Sequence, residues 1–297
     1  MDTSLSYLEL QNIAGNKAER LAYIDFKVHF TGSIKRNDLN IAFGLADASA
    51  SRLLSDYIKL RPKNLYRDPS RKVNVITESF QPLINIDPVV ALGMLSHGFN
   101  KNKLIDNPVL PYARIGALTN VLEREDVAKI TRAMFNASAI ECHYISSNSN
   151  NHKKREILPL SLLFDGRYWI FRGYQRCEQR PDKFKNFNFS RTTLINELDV
   201  ENKQKPHESL AADSAWNEKI PLVLTLHPNL TEDQRKSVRK DFGMSADSNE
   251  LILTERAALL WILKRRWFID TREKTTTENN EYYNFYLKNR EMCLSHV

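Results

Sequence analysis

Apolar residues recur at helical spacing over 17–30, where Leu21, Ile24, Val28 and either Phe26 or Phe30 share one side, and Gly32 is placed to end the run. A shorter helix is predicted over 35–43, burying Leu39 and Phe43, with Gly44 as a left-handed stop. A third helix begins at Asp47, read as its cap. Its inner side is Leu53, Leu54, Tyr57, Ile58 and Leu60, which leaves Ser49, Ser51, Arg52 and Ser55 near an exposed amino-terminal half. The stretch 64–75 reads as strand, turn, strand, with Asp68-Pro69-Ser70 at the tip. Helices followed by a hairpin in this order make a winged helix-turn-helix. Two more helices are predicted. One covers 87–99 with Asp87 as cap and Pro88 in its first turn; the other covers 123–136 and is amphipathic through Val127, Ile130, Met134 and Phe135. Both are expected to connect domains.

From residue 139 the helical period gives way to strand character over 139–146 and 156–164, with the polar run 147–152 between them as a hairpin turn. Asp165-Gly166 turns into a third strand, in which Trp169 and Phe171 share one side while Ile170, Arg172 and Tyr174 share the other. One side is expected to pack and the other to offer charge. Further strands over 184–198 complete a small antiparallel, barrel-like sheet. After a polar linker at 201–209 come a strand (219–226), a helix (231–242) opened by Thr231 with Glu232 and Asp233 in its first turn, a strand (251–254) and a helix (255–266). This β-α-β-α order suits a small α+β domain with its sheet covered on one face. In the last segment 275–280 reads as a loose linker, and Tyr282, Tyr283, Phe285, Tyr286 and Leu287 are candidates for packing across a dimer.

A length of 297 residues suggests two or three domains, and the pattern favours three. The net charge of +7 favours polyanions, nucleic acid first and anionic membrane surfaces second. No run is apolar for long enough to span a bilayer, and Met1-Asp2-Thr3-Ser4 lacks the order of a secretory signal, so a cytoplasmic protein is expected. Cys142, Cys177 and Cys293 are odd in number and far apart, which argues against a disulfide framework or a paired-cysteine zinc site. Between 150 and 191 ten Lys or Arg face four Asp or Glu, a surplus of six, whereas 1–80 holds twelve against nine. In the amino-terminal part, placement matters more than total charge.

Small residues early in a recognition helix let its backbone approach the major groove, and Arg52 is suited either to a guanine edge or to a phosphate. Lys35 and Arg36 open the preceding helix, while Arg67, Arg71 and Lys72 flank the wing tip, where backbone or minor-groove contact is made. In the central sheet Arg155, Arg172 and Arg191 are candidates for a phosphate clamp, because guanidinium forks hold phosphate oxygens in pairs. Tyr144 and Ser146 could add hydroxyls, and His152 sits at the hairpin mouth with Lys153 and Lys154. The sequence has no Gly-rich phosphate loop, His-Glu-x-x-His helix, paired-cysteine zinc motif or Gly-x-Ser-x-Gly elbow. No cofactor, metal or catalytic residue is therefore assigned, and an enzyme is not expected.

These parts resemble the WYL-domain transcriptional regulators, in particular the branch found beside bacterial antiphage systems of the BREX and CBASS types. The resemblance spans nearly the whole chain. It rests on Arg155-x-Ile157-x-Pro159, Trp169-Ile170-Phe171-Arg172-Gly173-Tyr174 and Phe187-x-Phe189-Ser190-Arg191, with Ile170 where the name-giving tyrosine usually stands. It implies an α+β multidomain chain with a winged helix-turn-helix at 1–80, a helical link at 81–136, a central Sm-like small β-barrel at 137–200 as the WYL ligand-sensing domain, and a dimerisation extension at 201–297. It also implies a homodimeric repressor on a palindromic double-stranded DNA operator, with an anionic nucleotide or oligonucleotide effector. Two other readings fit the same basic surfaces: a nuclease and a non-specific architectural DNA-binding protein.

Overall fold

The computed structural model describes residues 4–105, 110–111, 121–146, 154–176, 183–198, 202–272 and 282–293. Their contacts divide into two units, the first ending at 204 and the second running from 205, with 184–186 grouped with the second.

The first unit opens with a helix the periodicity did not reveal, α1 (Tyr7–Ala14). It starts in a capping box: Ser6 Oγ accepts from the Glu9 amide at 3.2 Å, and the Glu9 carboxylate accepts from the Ser6 amide at 2.7 Å. The helix α2 (Ala18–Thr31) follows, ended by Gly32 in the left-handed region at φ 80°. A short strand β1 (Ser33–Ile34) leads to α3 (Arg36–Phe43), which Gly44 ends at φ 62°, and to α4 (Asp47–Leu60). Asp47 is not the cap of α4. That position belongs to Ala46, which has no side-chain acceptor, and Asp47 instead accepts from Asn40 Nδ2 at 2.6 Å, which fixes the turn between α3 and α4. The strands β2 (Leu65–Asp68) and β3 (Val73–Ile76) form the wing, and β1 joins them in the order β1-β3-β2.

A buried polar network holds these helices to one another. Asp25, on the inner side of α2, accepts from Tyr57 Oη of α4 at 2.7 Å and from the amides of Leu83 and Ile84 at 2.9 and 3.2 Å. Asn64 Nδ2 donates to Tyr57 Oη at 2.9 Å and to the Gln81 carbonyl at 2.7 Å, while Asn64 Oδ1 accepts from the Gln81 amide. Every polar atom named here is matched, as burial requires. Burial pushes the Asp25 pKa above its ordinary value, and the hydroxyl and the two amides recover only part of that shift. The network sets α4 against both α2 and the chain leaving the wing.

The segment expected as a helical link carries α5 (Pro88–His97), whose Asp87 cap accepts from the Val89 and Val90 amides, and α6 (Arg124–Phe135). The inner side of α6 is Val127, Ala128, Ile130, Thr131, Arg132 and Ala133; Phe135, expected on that side, is exposed with the Lys27 ammonium 5.8 Å from its ring.

The strands β4 (Ile140–Tyr144), β5 (Lys154–Phe164), β6 (Trp169–Arg176), β7 (Phe184–Asn188) and β8 (Thr192–Glu197) form one sheet in the order β7-β6-β5-β4-β8. A 3-10 turn at Phe189–Arg191 leads from β7 to β8. Helix α6 packs against β5 and β8 as well as against α2. The strand β6 departs from the expected division into a packed and a charged side, because every residue from Trp169 to Gln175 is buried. On one side Phe171 meets the rings of Phe187 and Phe189 at 5.4 and 5.2 Å; on the other Ile170, Arg172 and Tyr174 are covered too.

The second unit is built on β9 (Lys219–Leu226), α8 (Glu232–Asp241), β10 (Glu250–Arg256) and α9 (Leu260–Arg266), preceded by the one-turn helix α7 (Ser214–Asn217). Two short strands, β11 (Ile269–Asp270) and β12 (Phe285–Leu287), complete a sheet in the order β10-β9-β12-β11, and α10 (Arg290–Cys293) closes the described chain. Ile220, Leu222, Leu224 and Leu226 alternate inward on β9 and share a core with Val238 and Leu260. Phe285 and Leu287 do not wait for a second subunit. They are buried in that same core as part of β12, which pairs with β9 and β11. The expected linker at 275–280 lies outside the described residues. No helix among the described residues is long and apolar enough to cross a membrane.

Candidate nucleic-acid interface and effector face

The heptad-like spacing of α4 decides which side chains are available. Ala50, Leu53, Leu54 and Tyr57 are buried, which turns Ser49, Arg52, Ser55 and Lys59 outward on one stripe. Arg52 is exposed, and no carboxylate among the described residues pairs with it. Ser55 Oγ donates to the Ser51 carbonyl at 3.1 Å, so that hydroxyl keeps only its acceptor side for a partner; Ser51 itself is half-buried. A shallow groove runs along this stripe, lined by Lys17, Ser51, Arg52, Ser55, Asp56 and Lys59. Asp56 is occupied by Lys17 at 2.8 Å and by Lys59 at 3.6 Å, which hold its carboxyl below the usual range. Lys17, which sequence reasoning did not single out, thus borders the exposed stripe of α4.

At the other side of the helical turn Lys35 and Arg36 are exposed, and Arg36 lies 3.8 Å from Asp47. The wing tip is tied down by one carboxylate. Asp68 Oδ1 accepts from the Ser70 amide at 3.0 Å, the Ser70 hydroxyl at 2.7 Å and the Arg71 amide at 3.1 Å. The Arg71 amide and the Ser70 hydroxyl hold the Asp68 carboxyl below its ordinary value. Lys72 takes the left-handed conformation at φ 53°, and Arg67, Arg71 and Lys72 all reach solvent. A fixed tip carrying three cations needs little ordering on contact with a polyanion.

In the central sheet the register separates the residues expected to clamp phosphate. Arg155 pairs with Cys142, and Ile157 pairs with both Ile140 and Gln175, so Arg155 shares a face with Tyr144 and Phe171. Arg172 pairs with Ser161 after a bulge at Pro159/Ser161 and falls on the opposite face with Tyr174 and Arg176. Arg191 is exposed in the turn before β8, where its carbonyl accepts from the Ile145 amide at 2.9 Å. The three arginines therefore do not form one fork on one face. Instead, the Arg155 guanidinium lies 5.3 Å from the Tyr144 ring, which in turn meets Phe187 edge-on at 5.1 Å. The Tyr144 hydroxyl accepts from the Asn188 amide at 3.2 Å and so braces the turn toward Arg191. Ser146 is half-buried two residues past the end of β4, and His152 lies outside the described residues. Burial pushes the Cys142 thiol up to about 12, which leaves it a packing residue.

Three family models cover most of this architecture. Residues 16–91 match the winged helix-turn-helix domain of the BrxR transcriptional regulator, 125–194 match the WYL domain, and 219–293 match the C-terminal dimerization domain of the BrxR transcriptional regulator. The DNA-binding transcriptional repressor CapW of Escherichia coli (strain KTE188) is 30% identical over 268 residues, covering 85% of this chain and 83% of that protein. The CapW repressor of Pseudomonas aeruginosa is 28% identical over 291 residues, covering 95% and 92%, and that of Stenotrophomonas maltophilia is 26% identical, covering 82% and 81%.

Proposed function

The chain belongs to the family of the CapW transcriptional repressors, and from that premise we propose that it is a homodimeric, sequence-specific DNA-binding repressor rather than an enzyme. The observation that carries this reading is the exposed stripe Ser49–Arg52–Ser55 on α4 together with a basic wing tip tied down by Asp68. The stripe enters the major groove, Lys35 and Arg36 meet the adjacent backbone, and Arg67, Arg71 and Lys72 take the phosphates or minor groove beside it. Two copies joined through the carboxy-terminal domain read the halves of a palindrome.

The finer parts of the reading concern what is controlled and by what. The target is an antiphage defence operon, as the resemblance to the BREX and CBASS branch implies. The WYL sheet senses an anionic nucleotide or oligonucleotide, for which the surplus of six cations between 150 and 191 supplies attraction. Tyr144, expected to contact the effector, is itself buried and supports the Arg155 guanidinium rather than offering a ring for stacking. The effector acts by binding one of two conformations more tightly than the other.

The test uses labelled duplex from the region upstream of the gene, with magnesium present. The protein is expected to retain that fragment under about a hundredfold excess of unrelated DNA and to leave it uncut. Loss of the fragment to competitor would indicate an architectural protein, and progressive cleavage would indicate a nuclease.

A further inference from the structure

Arg132 is only 6% exposed, yet its guanidinium reaches three segments of the chain. Nε donates to the two carboxylate oxygens of Glu197, at the end of β8, at 3.1 and 3.0 Å. Nη2 donates to Glu197 Oε2 at 2.6 Å and to Glu125 Oε1 at 3.1 Å, and Nη1 donates to the His29 carbonyl at 2.9 Å. His29 Nε2 lies 3.1 Å from Glu125 Oε2, which closes a ring of three residues, Arg132, Glu125 and His29, to which Glu197 is joined through Arg132. Partial burial pushes the Glu125 carboxyl up, but the bond with His29 and the charge of Arg132 outweigh it and hold it at about 2.

The His29 carbonyl belongs to the last turn of α2, where carbonyls lack a partner within the helix and the dipole is negative. Asn136 Nδ2 reaches the neighbouring Thr31 carbonyl at 3.5 Å. At Gly32 a Cβ would stand 3.5 Å from Arg132 Cδ, so the backbone of α2 meets this side chain closely. On the sheet side Lys129 Nζ donates to the Ile195 carbonyl of β8 at 2.9 Å. Helix α2 in turn holds the reading helix through Asp25 and Tyr57. An unbroken series of short contacts therefore runs from β8 through Glu197, Arg132, α2, Asp25 and Tyr57 to α4.

A guanidinium is planar, and its donors point in fixed directions. If β8 shifts by about an ångström, Arg132 cannot keep both Glu197 and the His29 carbonyl: one bond breaks or α2 is carried along. We propose that Arg132 is the positioning residue through which the WYL sheet sets the orientation of the reading head, and with it the separation of the two heads on DNA. The proposal rests on the reading of the chain as a dimer with paired heads.

The test begins with duplexes selected from a randomised pool by the full-length wild-type protein. Binding is then measured to the selected duplex, to versions with the half-sites moved by one and two base pairs, and to a single half-site. Wild type is expected to prefer its own spacing by about tenfold or more. In Arg132→Gln and in Glu197→Gln this preference falls to within about twofold, while half-site affinity and dimerisation stay as in wild type. The double variant behaves like either single one. Glu197→Gln keeps the size of the side chain and every other Arg132 contact, so it carries the test if Arg132→Gln fails to fold. Retention of the full spacing preference in the folded variants overturns the proposal, as does a loss that half-site affinity shares equally. Absence of any spacing preference in wild type removes the paired-head reading and the proposal together.

Discussion

Replacing Arg52 with alanine is expected to lower affinity for the operator by about ten- to a hundredfold while leaving the dimer intact. Arg52 lies on the outward stripe of α4 between the buried Ala50 and the buried pair Leu53 and Leu54, so its stem is rooted in a fixed helix and its guanidinium is exposed to solvent. No carboxylate among the described residues offsets its charge. The change removes no buried atom and leaves the Asp25–Tyr57 contact untouched, so the melting temperature should remain that of wild type. Titration of labelled operator, with sedimentation to follow the dimer, measures both parts. A base contact by Arg52 shows as relaxed specificity at one position. A phosphate contact shows instead as even weakening across sequences and a shallower salt dependence. Unchanged binding would mean that α4 does not read DNA through this stripe.

The second large effect is on stability. Asp25→Ala is expected to cost about 3–5 kcal/mol, because Tyr57 Oη and the Leu83 and Ile84 amides lose their common acceptor, and each buried donor left unmatched costs about 1–3 kcal/mol. Asp25→Asn should cost less. Its Oδ1 keeps the bonds from Tyr57 and Leu83, and only the Ile84 amide faces an amide nitrogen. The two proteins should also differ in pH response. Burial raises the Asp25 pKa, so this group's contribution is fully present below the unfolded value of about 3.9 and is lost as pH rises through the folded value. The stability advantage of wild type over Asp25→Asn should therefore narrow as pH rises from about 4. Urea unfolding at a series of pH values measures the gap, and a gap that widens with pH would contradict this assignment.

Local signals in the sequence carried the winged helix far. Gly32 and Gly44 end their helices in the left-handed region, and the apolar spacing of α4 identified Leu53, Leu54 and Tyr57 on its inner side. Ile58, expected there too, is exposed because it lies one residue round the helix from Tyr57. The helix α1 was marked by Ser6-x-x-Glu9 but has only eight residues, too few for periodicity to stand out. Asp25 left a trace as a charged residue on the apolar side of its helix, although its partner Tyr57 could not be read from that trace.

In the central sheet, strand alternation predicted which side chains share a face of β6 but not what covers each face, and both proved buried. The pairing of Ile157 on β5 with Gln175 on β6 decided that Arg155 and Arg172 face apart, a fact of register rather than of composition. The Arg132–Glu197 contact spans 65 positions and has no local pattern at all. Phe285 and Leu287 were correctly read as too apolar for water, but their partners were a strand of their own domain.

The measurement closest to the central claim is a hydroxyl-radical footprint of the full-length protein on its selected operator. Paired reading heads are expected to give two protected patches on one face of the duplex, related by a dyad and about one helical turn, or a multiple of it, apart. Each patch should vanish in Arg52→Ala. A single patch, or protection spread evenly along the duplex, would contradict the account.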